Sequence, residues 1–117
     1  MMHRLVLSCE MFRGLESGFL RAVTLRLVQN FFTTDECVLQ QGAPVSEMFF
    51  IAVGSVNVTI EDRLVERLSE NENFADGAML SVIEESIYSV VAATNCELWS
   101  LSRATFLELL GLSLIHI

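Results

Sequence analysis

Between Leu15 and Val28, apolar residues recur at steps of three and four. Leu15, Phe19, Ala22, Val23 and Leu27 fall together with Leu20 beside them, and Arg21 and Arg26 are left for the other side. That spacing predicts an amphipathic helix over 15–28, preceded by a shorter one over 2–9. Beyond Phe31 the pattern changes. Phe31-Phe32, Val38-Leu39, Met48 to Val53, and Val56, Val58 and Ile60 are short β-favouring runs, broken by Thr34-Asp35, Gln41-Gly42-Ala43-Pro44 and Gly54-Ser55. Residues 64–68 make another strand, and Asn71-Glu72-Asn73 form a polar turn ahead of Phe74. Residues 86–94 and 96–101 read as a late hairpin, followed by a cap at Ser102 and a helix over 103–110. Met48, Phe49, Phe50, Ile51, Val90, Ala92, Leu98 and Leu101 are expected in the core, with Cys37 and Cys96 as core thiols. Trp99 alternates away from Leu98 and either packs on a terminal helix or meets a partner. Gly42, Pro44 and Gly54 are turn determinants.

Helix, many short strands, helix suggests a mainly β fold with flanking helices, a small antiparallel roll or barrel with helices packed on one side rather than a parallel sheet with crossover helices. Neither GxGxxG nor GxxxxGK[ST] occurs, and all seven basic residues are arginine, so no lysine reaches for a triphosphate. Catalysis is not expected. His3 and His116 are the two histidines, one in each terminal segment, with no zinc-binding spacing. Glu84-Glu85 are adjacent, so on an extended chain they point to opposite faces rather than forming a carboxylate pair.

Length and composition narrow the picture further. The 117 residues are 52% hydrophobic, enough for one core and too few for a second domain. A net charge of −8 argues against a nucleic-acid partner held by charge. The charge is uneven: residues 1–30 carry four arginines against Glu10 and Glu16, whereas residues 61–85 carry eight acids against Arg63 and Arg67. Cys9, Cys37 and Cys96 are odd in number and far apart, which suits a reducing compartment and neither a disulfide framework nor a metal knuckle. No apolar run approaches the roughly 18 to 20 residues that span a bilayer.

Four segments in this order, LVLSCEMFRGLESGFLRAVTLRL, FFTTDECVLQQGAPVSEMFFIAVGSVNV, LSENENFADGAMLS and SVVAATNCELWSLSRATFLELL, resemble the cyclic nucleotide-binding domain of voltage-gated-like cation channels. That group comprises the cyclic-nucleotide-gated, hyperpolarisation-activated and related potassium channels. The resemblance covers most of residues 5–110. It implies an eight-stranded antiparallel roll of the jelly-roll type at the cytoplasmic face of a membrane, with amino-terminal helices leading to a pore. Residues 1–13 are then the end of the pore-linking segment, 14–110 the domain, and 111–117 a truncated or non-native tail, the closing carboxy-terminal helix being absent. The implied partners are the channel pore and its linker in a homotetramer. The implied ligand is cAMP or cGMP, as a weak regulator, with no other cofactor. A soluble sensor attached to a kinase or transcription regulator, or a roll used purely for protein interaction, stands as the alternative.

The resemblance also implies a site. A short central helix and its loop cradle the cyclic phosphate in the family, and the corresponding stretch here is Phe74, Ala75, Asp76, Gly77, Ala78, Met79 and Leu80. Asp76 falls on the carboxylate that binds the ribose hydroxyl, one methylene shorter than the family's glutamate, and Ala75 replaces a glycine. Read alone, Asp76 is a solvated acid capping the short helix, and Gly77 serves local turn geometry or exposes backbone N–H groups. Ser86 and Ile87 stand where nucleotide-binding members carry arginine and a hydroxyl residue. Losing the phosphate's cation weakens binding by about 10 to 100-fold, and Glu84 and Glu85 repel a phosphate further. Arg63 and Arg67 are expected as solvated arginines on a charged hairpin face, not as replacements. The sequence thus predicts a degenerate pocket.

Overall fold

A computed structural model describes residues 6, 9, 12, 14–80 and 85–111. The helix 2–9, Glu84, His3, His116 and the tail beyond Gly111 fall mainly or wholly outside those residues. Helix α1 runs Ser17–Leu25 and buries Leu20 and Val23. It is shorter than its apolar spacing suggests, because Val28 opens strand β1 (Val28–Phe32) and pairs with Ser100 instead of continuing the helix. Seven strands follow: β2 (Cys37–Leu39), β3 (Glu47–Val53), β4 (Val56–Ile60), β5 (Arg63–Leu68), β6 (Asn73–Phe74), β7 (Ser89–Ala92) and β8 (Cys96–Ser102). A four-residue helix α2 (Gly77–Leu80) interrupts them, and α3 (Arg103–Leu109) follows β8. Ser102 caps α3 by accepting the Thr105 N–H at 3.0 Å, as its sequence position predicts.

The strands form two antiparallel four-stranded sheets, an inner one ordered β1-β8-β3-β6 and an outer one ordered β2-β7-β4-β5. The architecture is the open, helix-flanked antiparallel roll expected from the sequence. The expected late hairpin is not formed: β7 pairs with β4 and β2, and β8 pairs with β3 and β1. The short break at 93–95 moves the chain from one sheet to the other.

Strand β3 explains where the core lies. Met48 and Phe50 pack with Val23, Leu101 and Phe106 under the helices, while Phe49 and Ile51 face Val56, Val90 and Leu98 between the sheets. A strand buried on both faces reads as a continuous apolar run, which is what MFFI is. All eight expected core residues are buried, as is Cys96. Cys37 is not: it opens the short strand β2 with its side chain exposed, and Leu39 takes the inward place. Trp99 lies half-buried against the helix-side cluster and donates to Glu97 at 2.7 Å.

Candidate functional site

The site grows out of the connection between β6 and β7. Phe74 ends β6 buried, its ring stacked on Phe49 with centroids 5.1 Å apart. Ala75 then turns the chain with φ +64°, in the left-handed region that favours glycine. This is the position where the resemblance expects a glycine, the residue best suited to that φ. Helix α2 starts two residues later and is anchored by buried Ala78 and Met79, whose N–H groups donate to the carbonyls of Ala75 (3.1 Å) and Asp76 (3.0 Å). Gly77 has no left-handed φ, and a Cβ there would meet nothing within 4 Å, so no steric constraint calls for the glycine.

The opposite wall is the segment after the cradle, tied to the turn between β2 and β3. Gly42 donates to the Ser86 carbonyl (2.7 Å) and Ser86 N–H to the Ala43 carbonyl (2.9 Å), while Pro44 and Glu85 form a bridge. Gln41 N–H donates to the Ser89 hydroxyl at 2.8 Å. Within this lattice Ser86 is buried, its hydroxyl donating to the Tyr88 carbonyl at 2.6 Å and accepting from Tyr88 N–H at 3.3 Å. Its one proton is therefore spent. Ile87 points outward, 71% exposed.

Between these walls lies a cleft of about 280 Å³, which brings together Ala75, Asp76, Gly77, Ala78, Ser86 and Ile87 with Val45, Glu85 and Tyr88. Phe74 lines the neighbouring cleft instead, about 460 Å³, bounded by Val65, Leu68, Glu66, Glu72 and Tyr88 among others. Among the described residues no cation lines either cleft, and each carries two carboxylates. Arg63 and Arg67 are exposed, with Arg67 donating to Asn57 at 3.0 Å rather than reaching the cradle. An anion placed in the smaller cleft meets the carboxylates of Asp76 and Glu85 with no opposite charge on the lining.

Tyr88 is the residue that sequence reasoning missed. Its hydroxyl accepts the N–H of Ala75 at 2.8 Å. Burial raises the phenol above its usual pKa of 10.0; the Ala75 N–H opposes the shift, and Asp76 and Glu66 add to it. No local pattern marks this contact, which joins residues thirteen apart; the one hint is that Tyr88 is the chain's single tyrosine, next to the two positions where the resemblance expects an arginine and a hydroxyl residue.

Known proteins place the chain. Residues 29–112 match the family model described as Cyclic nucleotide-binding domain. The voltage-gated inwardly rectifying potassium channel KCNH6 of Rattus norvegicus is 31% identical over 95% of this chain, which spans 12% of that channel. The cAMP-dependent protein kinase regulatory subunit of Candida albicans is 29% identical over 86% of the chain and is 22% covered in return. The regulatory domain of Toxoplasma gondii PKA, solved with cAMP, superposes with a TM-score of 0.84 at 21% identity, over 92% of this chain and 42% of that one. Relatives of this kind carry the fold as a non-catalytic regulatory module in both channels and kinases, and no cluster of metal-ligating side chains occurs among the described residues. The family match over most of its length makes this chain a member of the cyclic nucleotide-binding domain family.

Proposed function

We propose that the chain is the cytoplasmic regulatory domain of a cation channel in which the nucleotide site has degenerated. In this reading residues 14–110 are the domain, residues 1–13 end the segment that links it to the pore, and the full-length protein is a homotetramer at the membrane. The domain passes its own rearrangement to the gate, and cAMP or cGMP acts as a weak ligand at Phe74, Ala75, Asp76, Gly77, Ala78, Ser86 and Ile87. The observation that carries the reading is the Ser86 hydroxyl, buried and committed to Tyr88 where a phosphate needs a free cation. The likeness to a potassium channel across 95% of the chain favours the channel setting. Likeness to a kinase regulatory subunit supports a second reading, a soluble sensor. A pore-forming segment upstream in the parent transcript selects the first, and a kinase-linked architecture the second.

Calorimetric titration of cAMP and cGMP into the chain and into the Ser86→Arg, Ile87→Thr double variant tests the site. The double variant is expected to bind about 10 to 100-fold more tightly, the value of one charge-assisted hydrogen bond to phosphate. A folded double variant that binds no better rejects the cradle assignment.

A further inference from the structure

We propose that the Asp76–Gly77 linkage is a site of self-modification, where the backbone rearranges through a cyclic imide to isoaspartate and alters the start of α2. The reaction uses the chain's own atoms and stands whether or not a nucleotide binds. Asp76 is one of three aspartates and the only one followed by glycine; Asp35 precedes Glu36 and Asp62 precedes Arg63. Ring closure brings the amide nitrogen of the next residue onto the side-chain carboxyl carbon, and a side chain on that next residue crowds the approach. Gly77 has none, and the space where a Cβ would stand is empty to 4 Å. Both residues are exposed. The nitrogen is also untied. The first N–H groups of a helix have no acceptor within it. The bonds at the start of α2 are those of Ala78 and Met79, and among the described residues Gly77 N–H has no acceptor and the Asp76 carboxylate no hydrogen bond or ion pair. The other two aspartates differ on this count: Glu36 N–H donates to the Thr33 carbonyl at 3.0 Å, and Arg63 is paired with Ile60 in the β4–β5 ladder.

Water is the sole co-reactant. The Gly77 nitrogen bonds to Cγ of the protonated Asp76 carboxyl, the amide proton and the carboxyl hydroxyl leave together as water, and the cyclic imide closes. A water then adds to one of the two imide carbonyls and breaks its bond to nitrogen. Opening at Cγ returns aspartate. Opening at the main-chain carbonyl leaves Gly77 joined through Cγ and Cβ, with the former carbonyl as a free carboxylate. That carbonyl oxygen is the acceptor of Met79 N–H at 3.0 Å, so the rearrangement takes the acceptor out of the main chain and puts a methylene into it. The first turn of α2 loosens where it walls the smaller cleft. The new carboxylate is the group on which a methyl-transferring repair enzyme acts.

The test ages the folded chain at physiological temperature and near-neutral pH and follows isoaspartate by methyl transfer from labelled S-adenosylmethionine with an isoaspartate methyltransferase, the labelled residue being located by peptide mapping. Label is expected to accumulate at residue 76 and not at 35 or 62. The folded chain should gain it within about tenfold of the rate of the urea-unfolded chain, because nothing in the fold ties the nitrogen. Gly77→Ala, whose methyl crowds that nitrogen, is expected to gain it about tenfold more slowly, and Asp76→Glu, which must close a larger ring, to stay unlabelled. In the aged fraction, amide exchange at Met79 should quicken relative to the fresh chain. A folded chain that stays unlabelled while the unfolded chain reacts overturns the proposal, as does label that grows equally in Gly77→Ala or at Asp35 and Asp62. Label at residue 76 with unchanged exchange at Met79 overturns the effect on α2.

Discussion

The two ends of the roll are built on different principles. At one end the chain crosses between sheets four times, at 33–36, 54–55, 69–72 and 93–95, and each crossing is short and tied to another. Thr34 N–H donates to the Asn95 side chain at 2.9 Å, Ser55 N–H to the Thr94 hydroxyl at 3.0 Å, and Gly54 N–H to Glu70 at 2.9 Å. At the other end lie the Gln41–Pro44 turn, the Glu61-Asp62 turn and the long connection from Ala75 to Tyr88, and there the smaller cleft opens, while the larger one runs from Ile60 and Tyr88 to Asn71 and Glu72 of the 69–72 crossing. The crossings are tied to one another, whereas the long connection is tied to the neighbouring turn, Ser86 bonding Gly42, Ala43 and Tyr88, and Tyr88 bonding Ala75. The candidate site lies on the longest of these connections.

The largest effect that separates the ends comes from glycine. Gly54 has φ +93°, and a Cβ there would collide with the Asn95 carbonyl and lie 2.8 Å from the Thr94 hydroxyl oxygen. Gly42, at the open end, has φ +86° with nothing within 4 Å. Gly54→Ala is expected to cost about 3 kcal/mol or more and Gly42→Ala about 1 kcal/mol, the left-handed penalty alone. Urea unfolding of both variants reads the difference, and equal costs would mean that the tied end is no tighter than the open one.

Ala75 sharpens the comparison from the open end. With φ +64° it already pays for a left-handed Cβ. Ala75→Gly relieves that strain but loses a buried methyl and raises unfolded-chain entropy, so its net change should stay within about 0.5 kcal/mol. Ala75→Val, β-branched, should cost about 2 kcal/mol. Thermal unfolding distinguishes them; a valine tolerated as well as glycine would show that the turn relaxes.

How much of this was legible in the chain follows from the range of the forces. The MFFI run and the alternation in CELWSL report burial directly, so β3, β8 and the core they share were readable, as was the Ser102 cap. The sheet switch at 93–95 was not. A two-strand pattern with a short break is the same string whether the strands pair with each other or leave for different sheets, and the break is held from a distance in sequence by Ser55, whose carbonyl accepts Ala93 N–H at 2.9 Å. Cys37 was misplaced because a three-residue edge strand is too short for alternation to fix its face. In the candidate site, the family resemblance picked out Ala75 to Ala78 with Ser86 and Ile87, which do line one cleft, but Tyr88 reaches Ala75 by a tertiary contact that no local spacing encodes.

Tyr88 also gives a smaller, pH-dependent signal. Its pKa is raised above 10.0 in the folded chain, chiefly by burial, so its contribution to stability is complete below pH 10 and is lost as pH rises through the higher folded value. Tyr88→Phe should unfold about 1 kcal/mol more easily at neutral pH, for the lost hydrogen bond, and the gap should close above pH 10. Melting curves across that range check it; a constant gap would mean that the phenol is not held as a proton-bearing group.

The smallest expected effect lies at the tied end and has the opposite sign. Glu70 accepts Gly54 N–H, and that bond holds its carboxyl below the usual 4.5, so the folded state prefers the ionised form. Its contribution is present above pH 4.5 and is lost as pH falls through the depressed folded value. The side chain is fully exposed, so solvent screens the charge and the contribution is small. Glu70→Gln keeps an oxygen to accept the same N–H and removes only the ionisation. Its midpoint of thermal unfolding should therefore lie slightly below that of the unsubstituted chain at neutral pH and converge with it in acid. Curves that stay parallel down to about pH 3 would show that the Gly54–Glu70 tie works through geometry alone, and that charge takes no part in holding the crossings together.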